Sequence, residues 1–296
     1  MENNEKTQIQ IIEDYLKEKY DFRYNEISCY IEYKAKESNV GIRLNDNEFN
    51  SLIRELKYCK IKVKKDDLWT ILFSNFVKKY NPFKNYFDNL PNWDKEKDFI
   101  TELANTVQTS NQELWIKCFR KWFVGVVACI CEDNQVNDTA IIFRGEQGKG
   151  KTSWQLKLAP KVLKEYVFVG IINPQNKDSV INLAECMFII LDEQANFNKR
   201  NVDALKSLMT QKRIKFRRPY DRINDSLVRK ASFLGSVNGA EFLNDETGNR
   251  RFLCFDIKTI DYLHNVDIDL AYSQALSLYK SGFRHWFDDE ERKKLN

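Results

Sequence analysis

Residues 145–152 read Gly-Glu-Gln-Gly-Lys-Gly-Lys-Thr. This is the G-x-x-x-x-G-K-[ST] spacing of a loop that wraps a phosphate. Nothing else in the chain restricts its fold as tightly, because such a loop works only between the end of a buried strand and the start of a helix. The glycines let backbone N–H groups turn toward the anion, and the helix behind adds the positive end of its dipole. The candidate nucleotide contacts are Gly145, Gln147, Gly148, Lys149, Gly150, Lys151, Thr152 and Ser153. Lys151 would place its charge on the β- and γ-phosphates, and Thr152 would offer a hydroxyl to Mg²⁺. ATP and Mg²⁺ are therefore the expected ligands. The local context agrees. The β-rich run Thr139–Phe143 precedes the loop, and a helix is expected from Lys151 to near Pro160.

A second signal lies about forty residues on. Cys186–Leu191 is a continuous apolar run, as in a parallel strand buried on both faces, and it closes on Asp192-Glu193. Ligands of open α/β sheets bind at that strand edge. Asp192 would hold Mg²⁺ through water and Glu193 would polarise the attacking water; an acidic strand cap is the plainer alternative. The strand Ala231–Val237 ends at Asn238, which could orient that water or simply make an Asn-Gly turn. Arg250 and Arg251 precede the strand Phe252–Ile257. Either is a candidate finger on a neighbouring subunit's γ-phosphate, or a surface ion pair.

The net charge of +4 is unevenly spread. Residues 212–230 hold eight cations against two acids, so the remainder is net negative. Within that segment Lys212, Arg213, Lys215, Arg217, Arg218 and Arg222 surround Phe216 and Tyr220. Cations follow phosphates and aromatics stack on bases. The alternation before Pro219 suggests one strand of a hairpin. Lys212, Arg213, Lys215, Arg217, Arg218, Tyr220 and Arg222 are thus candidate contacts to single-stranded DNA. A solvated charged face is the competing reading.

Alternating strands and helices imply an α/β sheet covered on both faces. Upstream, 8–20, 46–58 and Asp66–Tyr80 read as helices and Phe22–Tyr33 as strands, giving a small α+β region over 1–80. Residues 81–132 read as an aromatic linker followed by a helical stretch from 95, and 133–296 as the core, closed by a helix at Asp267–Lys280. No run of 18 apolar residues occurs, so no span crosses a membrane. The seven irregularly spaced cysteines fit free thiols of a cytoplasmic protein better than a zinc site.

Taken together, GEQGKGKT, FIILDE, KFRRPYDR, FLGSVN and FLNDETGNRRF resemble the virulence-associated protein E family, ATPases of phages, plasmids and genomic islands related to superfamily three helicases. YDFRYNEI and NPFKNYFDNLPNWD extend the resemblance upstream. It implies an AAA+-like P-loop NTPase core and a hexameric ring that moves on single-stranded DNA during replication of a mobile element. A primase or replication initiator would then be a separate protein. It also assigns the nucleotide roles to Lys151/Thr152, Asp192/Glu193, Asn238 and Arg250/Arg251. One departure is Leu90-Pro91-Asn92-Trp93-Asp94-Lys95, where the family has Leu-Pro-Trp-Asp-Gly.

Overall fold

Apolar spacing and capping chemistry set the first elements. In the computed structural model Thr7 caps α1 (Gln8–Lys19) through a reciprocal box with Gln10. Asn45 caps α2 (Asp46–Tyr58) by accepting from the Glu48 N–H. The structure describes residues 6–38, 40–173, 175–191, 199–216, 225–238, 251–288 and 290–291. It divides into two units, 1–85 and 86–296.

In the first unit, β1 (Tyr20–Asn25), β2 (Tyr30–Ala35), β3 (Ile42–Arg43) and β4 (Lys78–Tyr80) form a sheet of order β3-β2-β1-β4. The helices α1, α2 and α3 (Lys65–Leu72) share with it a core that includes Leu16, Ile31, Phe49, Leu56, Leu68 and Ile71. The helix expected to run from Asp66 to Tyr80 stops at Leu72. The Ser74 hydroxyl takes the Ile71 carbonyl at 2.7 Å, and the chain then extends so that Lys78–Tyr80 pairs in parallel with β1. Tertiary strand pairing here overrides local periodicity.

The stretch read as a linker contains a helix, α4 (Pro82–Asp88), opened by Pro at its first position. The helical stretch from 95 also holds a strand. After α5 (Phe99–Asn105) comes β5 (Val107–Thr109), then α6 (Gln112–Cys131). Three residues are too few to show an alternation, which is why β5 escapes sequence reading. It forms the antiparallel edge of a six-stranded sheet.

That sheet also holds β6 (Ala140–Arg144), β7 (Val167–Gly170), β8 (Phe188–Leu191), β11 (Ser232–Val237) and β12 (Phe252–Ile260). Its order is β5-β12-β6-β11-β8-β7, and every pair except β12–β5 is parallel. The intervening elements are α7 (Lys151–Lys157), a 3₁₀ turn at Lys161–Tyr166, α8 (Lys177–Glu185), α9 (Lys199–Thr210) and the hairpin β9 (Arg213–Phe216)–β10 (Asp225–Val228). The last is α10 (Ile268–Lys280).

Both faces of β6 are covered, so Ala140, Ile141, Ile142 and Phe143 are all buried. Ala140 and Ile142 belong to a core with Leu183, Ile189, Leu205 and Phe233. Phe143 points the other way, into an aromatic layer where Trp115, Trp154 and Phe255 lie at ring separations of 5.0 to 6.2 Å. Burial pushes the thiols of Cys118, Cys186 and Cys254 up to about 12, so they are inert as nucleophiles near neutral pH.

Candidate nucleotide site and basic hairpin

Strand order decides which residues can meet. The chain leaving β6 goes to the β7 edge of the sheet, and the chain leaving β11 returns on the other side of β6 as β12. The carboxyl ends of β6 and β11 therefore flank a change of direction, where open α/β sheets form a ligand crevice. Arg144 and Val237 end those strands in register, and the loop 145–150 and Asn238 follow them directly.

Gly145, Gly148 and Gly150 have φ of 153°, 83° and 78°, a region that only glycine enters without strain. The loop ends at Gly150, the cap residue of α7, which has no side-chain hydrogen bond of its own. Lys151 is buried, at 4 % exposed. Its ammonium donates to the carbonyls of Gly145 and Glu146, at 2.5 and 2.8 Å, and to Oδ1 of Asn238 at 3.4 Å. Thr152 is half-buried on the first turn of α7. Lys149 is paired with Glu146 at 3.1 Å. Asp192, Glu193 and Arg250 lie outside the described residues; Leu191, the last residue of β8, brings the chain to the same carboxyl edge.

Arg251 is placed differently. It precedes β12, whose first residue, Phe252, pairs with Ala140 at the start of β6. Arg251 thus stands at the amino edge of the sheet, away from its own chain's glycine loop.

Sequence reasoning missed Tyr262. It follows β12 and lays its ring on Gly150: a Cβ at that position would overlap the Tyr262 ring at Cδ1. The Lys157 ammonium holds this turn through the carbonyls of Tyr262 and His264, and burial together with the Lys157 charge depresses the His264 pKa. Gly150→Ala should lower the melting temperature by both steric overlap and positive φ. Adding Tyr262→Ala should restore only part, since the left-handed backbone still costs about 1 kcal/mol. Full restoration in thermal melts would refute the φ contribution.

The basic segment divides. Arg213 is exposed on β9, with its guanidinium tied to Ser226 Oγ and carbonyl, both at 3.0 Å, while Ile214 turns into the core. Lys212 is exposed, and Lys215 lies on β9. Arg217, Arg218, Tyr220 and Arg222 lie outside the described residues. Two of the eight cations at 212–230 are structural. Arg229 is fully buried and donates to the carbonyls of Met209, Asn137 and Ala231. Lys230 is buried and donates to the Ile130 carbonyl and Asp133. The Lys230 and Ala231 N–H groups both donate to the Leu183 carbonyl at the end of α8, so the hairpin is rooted at the amino edge of the sheet, opposite the glycine loop.

Residues 87–296 match the virulence-associated protein E-like domain. The chain belongs to the virulence-associated protein E-like family. No curated protein sequence matches it. Among solved structures, an apo structure of the NrS-1 C-terminal region (305–718) is similar over 99 % of this chain and 75 % of that one, with a TM-score of 0.57 and 14 % identity. A second apo form of that region gives 0.55 at 14 % identity, covering 98 % and 72 %. At these identities the likeness is one of fold. The family match begins after the first unit, so the glycine loop, β8, the hairpin and Arg251 all fall inside it.

Proposed function

We propose that this chain binds and hydrolyses ATP with Mg²⁺ in an AAA+-like P-loop core, as a ring that translocates on single-stranded DNA in the replication of a mobile genetic element. The observation that carries the reading is the meeting of Lys151 and Asn238, 87 residues apart, at the crevice where the glycine loop leaves β6. The residues suit a triphosphate: a buried ammonium, three glycines with positive φ, and a helix start with no side-chain cap. In this reading Lys151 moves from the loop carbonyls onto the β- and γ-phosphates, and Asn238 orients the lytic water that Glu193 polarises. Thr152 and Asp192 would hold the Mg²⁺, whose charge would offset that of the phosphates. Arg251, or Arg250 beside it, serves a neighbour's site, which suits its place at the opposite edge of the sheet.

The hairpin root at that edge separates the DNA contacts from the nucleotide. Lys212, Lys215, Arg217, Arg218, Tyr220 and Arg222 are the groups proposed to track the strand. Single-stranded DNA should raise ATP turnover, and the pair Lys215→Ala with Arg217→Ala should remove most of that stimulation while leaving basal turnover intact. Unchanged stimulation at moderate salt would defeat the assignment. A second reading has support from Arg229 and Lys230, two cations of the segment buried in the fold, and from Arg213, tied to Ser226 on its surface: an ATP-switched oligomeric scaffold, in regulation or phage defence. It predicts nucleotide-dependent oligomers, read by light scattering, with no unwinding and no response to DNA.

A further inference from the structure

The first unit lies outside the matched family span and carries a charge concentration of its own. Residues 57–65 read Lys-Tyr-Cys-Lys-Ile-Lys-Val-Lys-Lys, five lysines in nine residues with no acid. They join α2 to α3. Ile61 and Val63 pack against the core of the unit, which leaves the alternating Lys60, Lys62 and Lys64 exposed. The connection is held in shape. The Ile61 N–H donates to the Leu56 carbonyl at 3.0 Å, Lys60 takes a left-handed φ of 60°, and the Gln8 amide donates to the Lys62 carbonyl at 2.5 Å. Lys57, Lys60, Lys62 and Lys64 line an open cleft of about 590 Å³ with Gln8 and Asp67.

Among the described residues none of the five lysines is ion-paired, whereas Lys6, Lys17, Lys19, Lys34 and Lys79 of the same unit are. The nearby acids are largely committed. Glu55 accepts from Tyr15, Tyr20 and Lys19, and Asp67 accepts from the Lys64 N–H at 3.2 Å; Asp66 is exposed beside them.

Aromatic rings stand next to this charge. Lys65 and Trp69 on α3 and Phe73, the residue that caps its end, follow one another at intervals of four and so lie along one side of the helix. Trp69 is 51 % exposed and Phe73 48 %; their rings stack at 4.0 Å and 24°, and the edge contact of Trp69 with buried Phe49 anchors them. Tyr58 is 77 % exposed at the other end of the lysine run. Unpaired cations beside solvent-facing rings are the elements of a single-stranded nucleic-acid surface, where phosphates meet the cations and bases stack on the rings.

We infer that the α2–α3 connection and the Lys65-Trp69-Phe73 stripe form a second single-stranded nucleic-acid site, independent of ATP and of the hairpin. The test is fluorescence anisotropy with the full chain and a labelled oligothymidine of about 20 nucleotides, without nucleotide and again in a Lys151→Ala background. The triple variant Lys60→Ala, Lys62→Ala, Lys64→Ala should weaken binding at least about tenfold and flatten the log K against log salt slope by about 2, since each lost phosphate contact removes roughly 0.7. Trp69→Leu should weaken binding about fivefold or more through lost stacking, with Phe73→Leu as the variant to use if Trp69→Leu melts early. All effects should persist in the Lys151→Ala background, so failure of the ATPase reading leaves this result legible. Unchanged affinity and slope in the triple variant would overturn the site. Equal losses on a blunt duplex, or no effect of either ring variant, would overturn its single-strand character.

Discussion

Lys151→Ala should reduce ATP turnover by at least about a hundredfold, the scale on which one preorganised charge at a developing anion acts. The ammonium is buried and already positioned by two carbonyls of the glycine loop and by Asn238, so little reorganisation separates its present contacts from a phosphate oxygen. Two controls separate chemistry from folding. Lys151→Arg keeps the charge but brings a planar fork into a space built for a point charge, and should also lose most turnover. Asn238→Ala removes one acceptor of the lysine; if Asn238 orients the lytic water it should lower kcat with little change in KM. Melting temperatures of all three should stay within a few degrees of the parent. ATP turnover in Lys151→Ala within threefold of the parent would remove the hydrolytic reading altogether, since Lys151 is the buried ammonium that the reading places on the phosphates.

Much of the second unit is legible in the sequence because its physics is local. Thr139–Phe143 reads as a strand and Cys186–Leu191 as one buried on both faces, and the strands observed are Ala140–Arg144 and Phe188–Leu191. The alternation Arg213-Ile214-Lys215-Phe216 likewise foretells a strand, now seen paired with Asp225–Val228. What is not legible depends on distant partners. Val107–Thr109 becomes a strand only because Ile257–Ile260 offers an edge, and Lys78–Tyr80 only because β1 does. Tyr262 has no sequence signature, since its value lies in resting on a glycine 112 positions away. Arg229 and Lys230 mislead for a related reason: a charge count treats every cation as solvated, and nothing local shows that carbonyls from three separate segments converge on one of them. The five lysines at 57–65 show the opposite failure. They are interspersed with apolar residues and balanced by acids in the wider N-terminal stretch, so only their unpaired exposure beside Trp69 sets them apart.

Arg229→Met should destabilise the second unit strongly. The side chain is fully buried, and its guanidinium makes four hydrogen bonds to three backbone carbonyls: Met209 at the end of α9, Asn137 before β6 and Ala231 before β11. Among the described residues no carboxylate accepts from it, and burial lowers its pKa, yet arginine remains charged at any working pH. The fold thus carries the desolvation of a cation in exchange for satisfying three carbonyls at the end of a helix and ahead of two strands. Methionine fills similar volume but donates nothing, so those carbonyls become buried and unpaired at about 1–3 kcal/mol each. Relief of the buried charge offsets part of this, leaving a net loss of about 3 kcal/mol, or roughly 6–12 °C in melting temperature for a unit of this size. Arg229→Lys retains the charge but cannot reach three acceptors, and should lose nearly as much. The Arg229 main-chain N–H closes the hairpin on the Lys212 carbonyl at 3.0 Å, and the side chain fixes that stretch of backbone in place, so the surviving folded fraction should lose stimulation by DNA before it loses basal ATP turnover. A melting temperature for Arg229→Met within 2 °C of the parent (under about 1 kcal/mol) would show that water, not arginine, satisfies those carbonyls, and the hairpin root would then need another anchor.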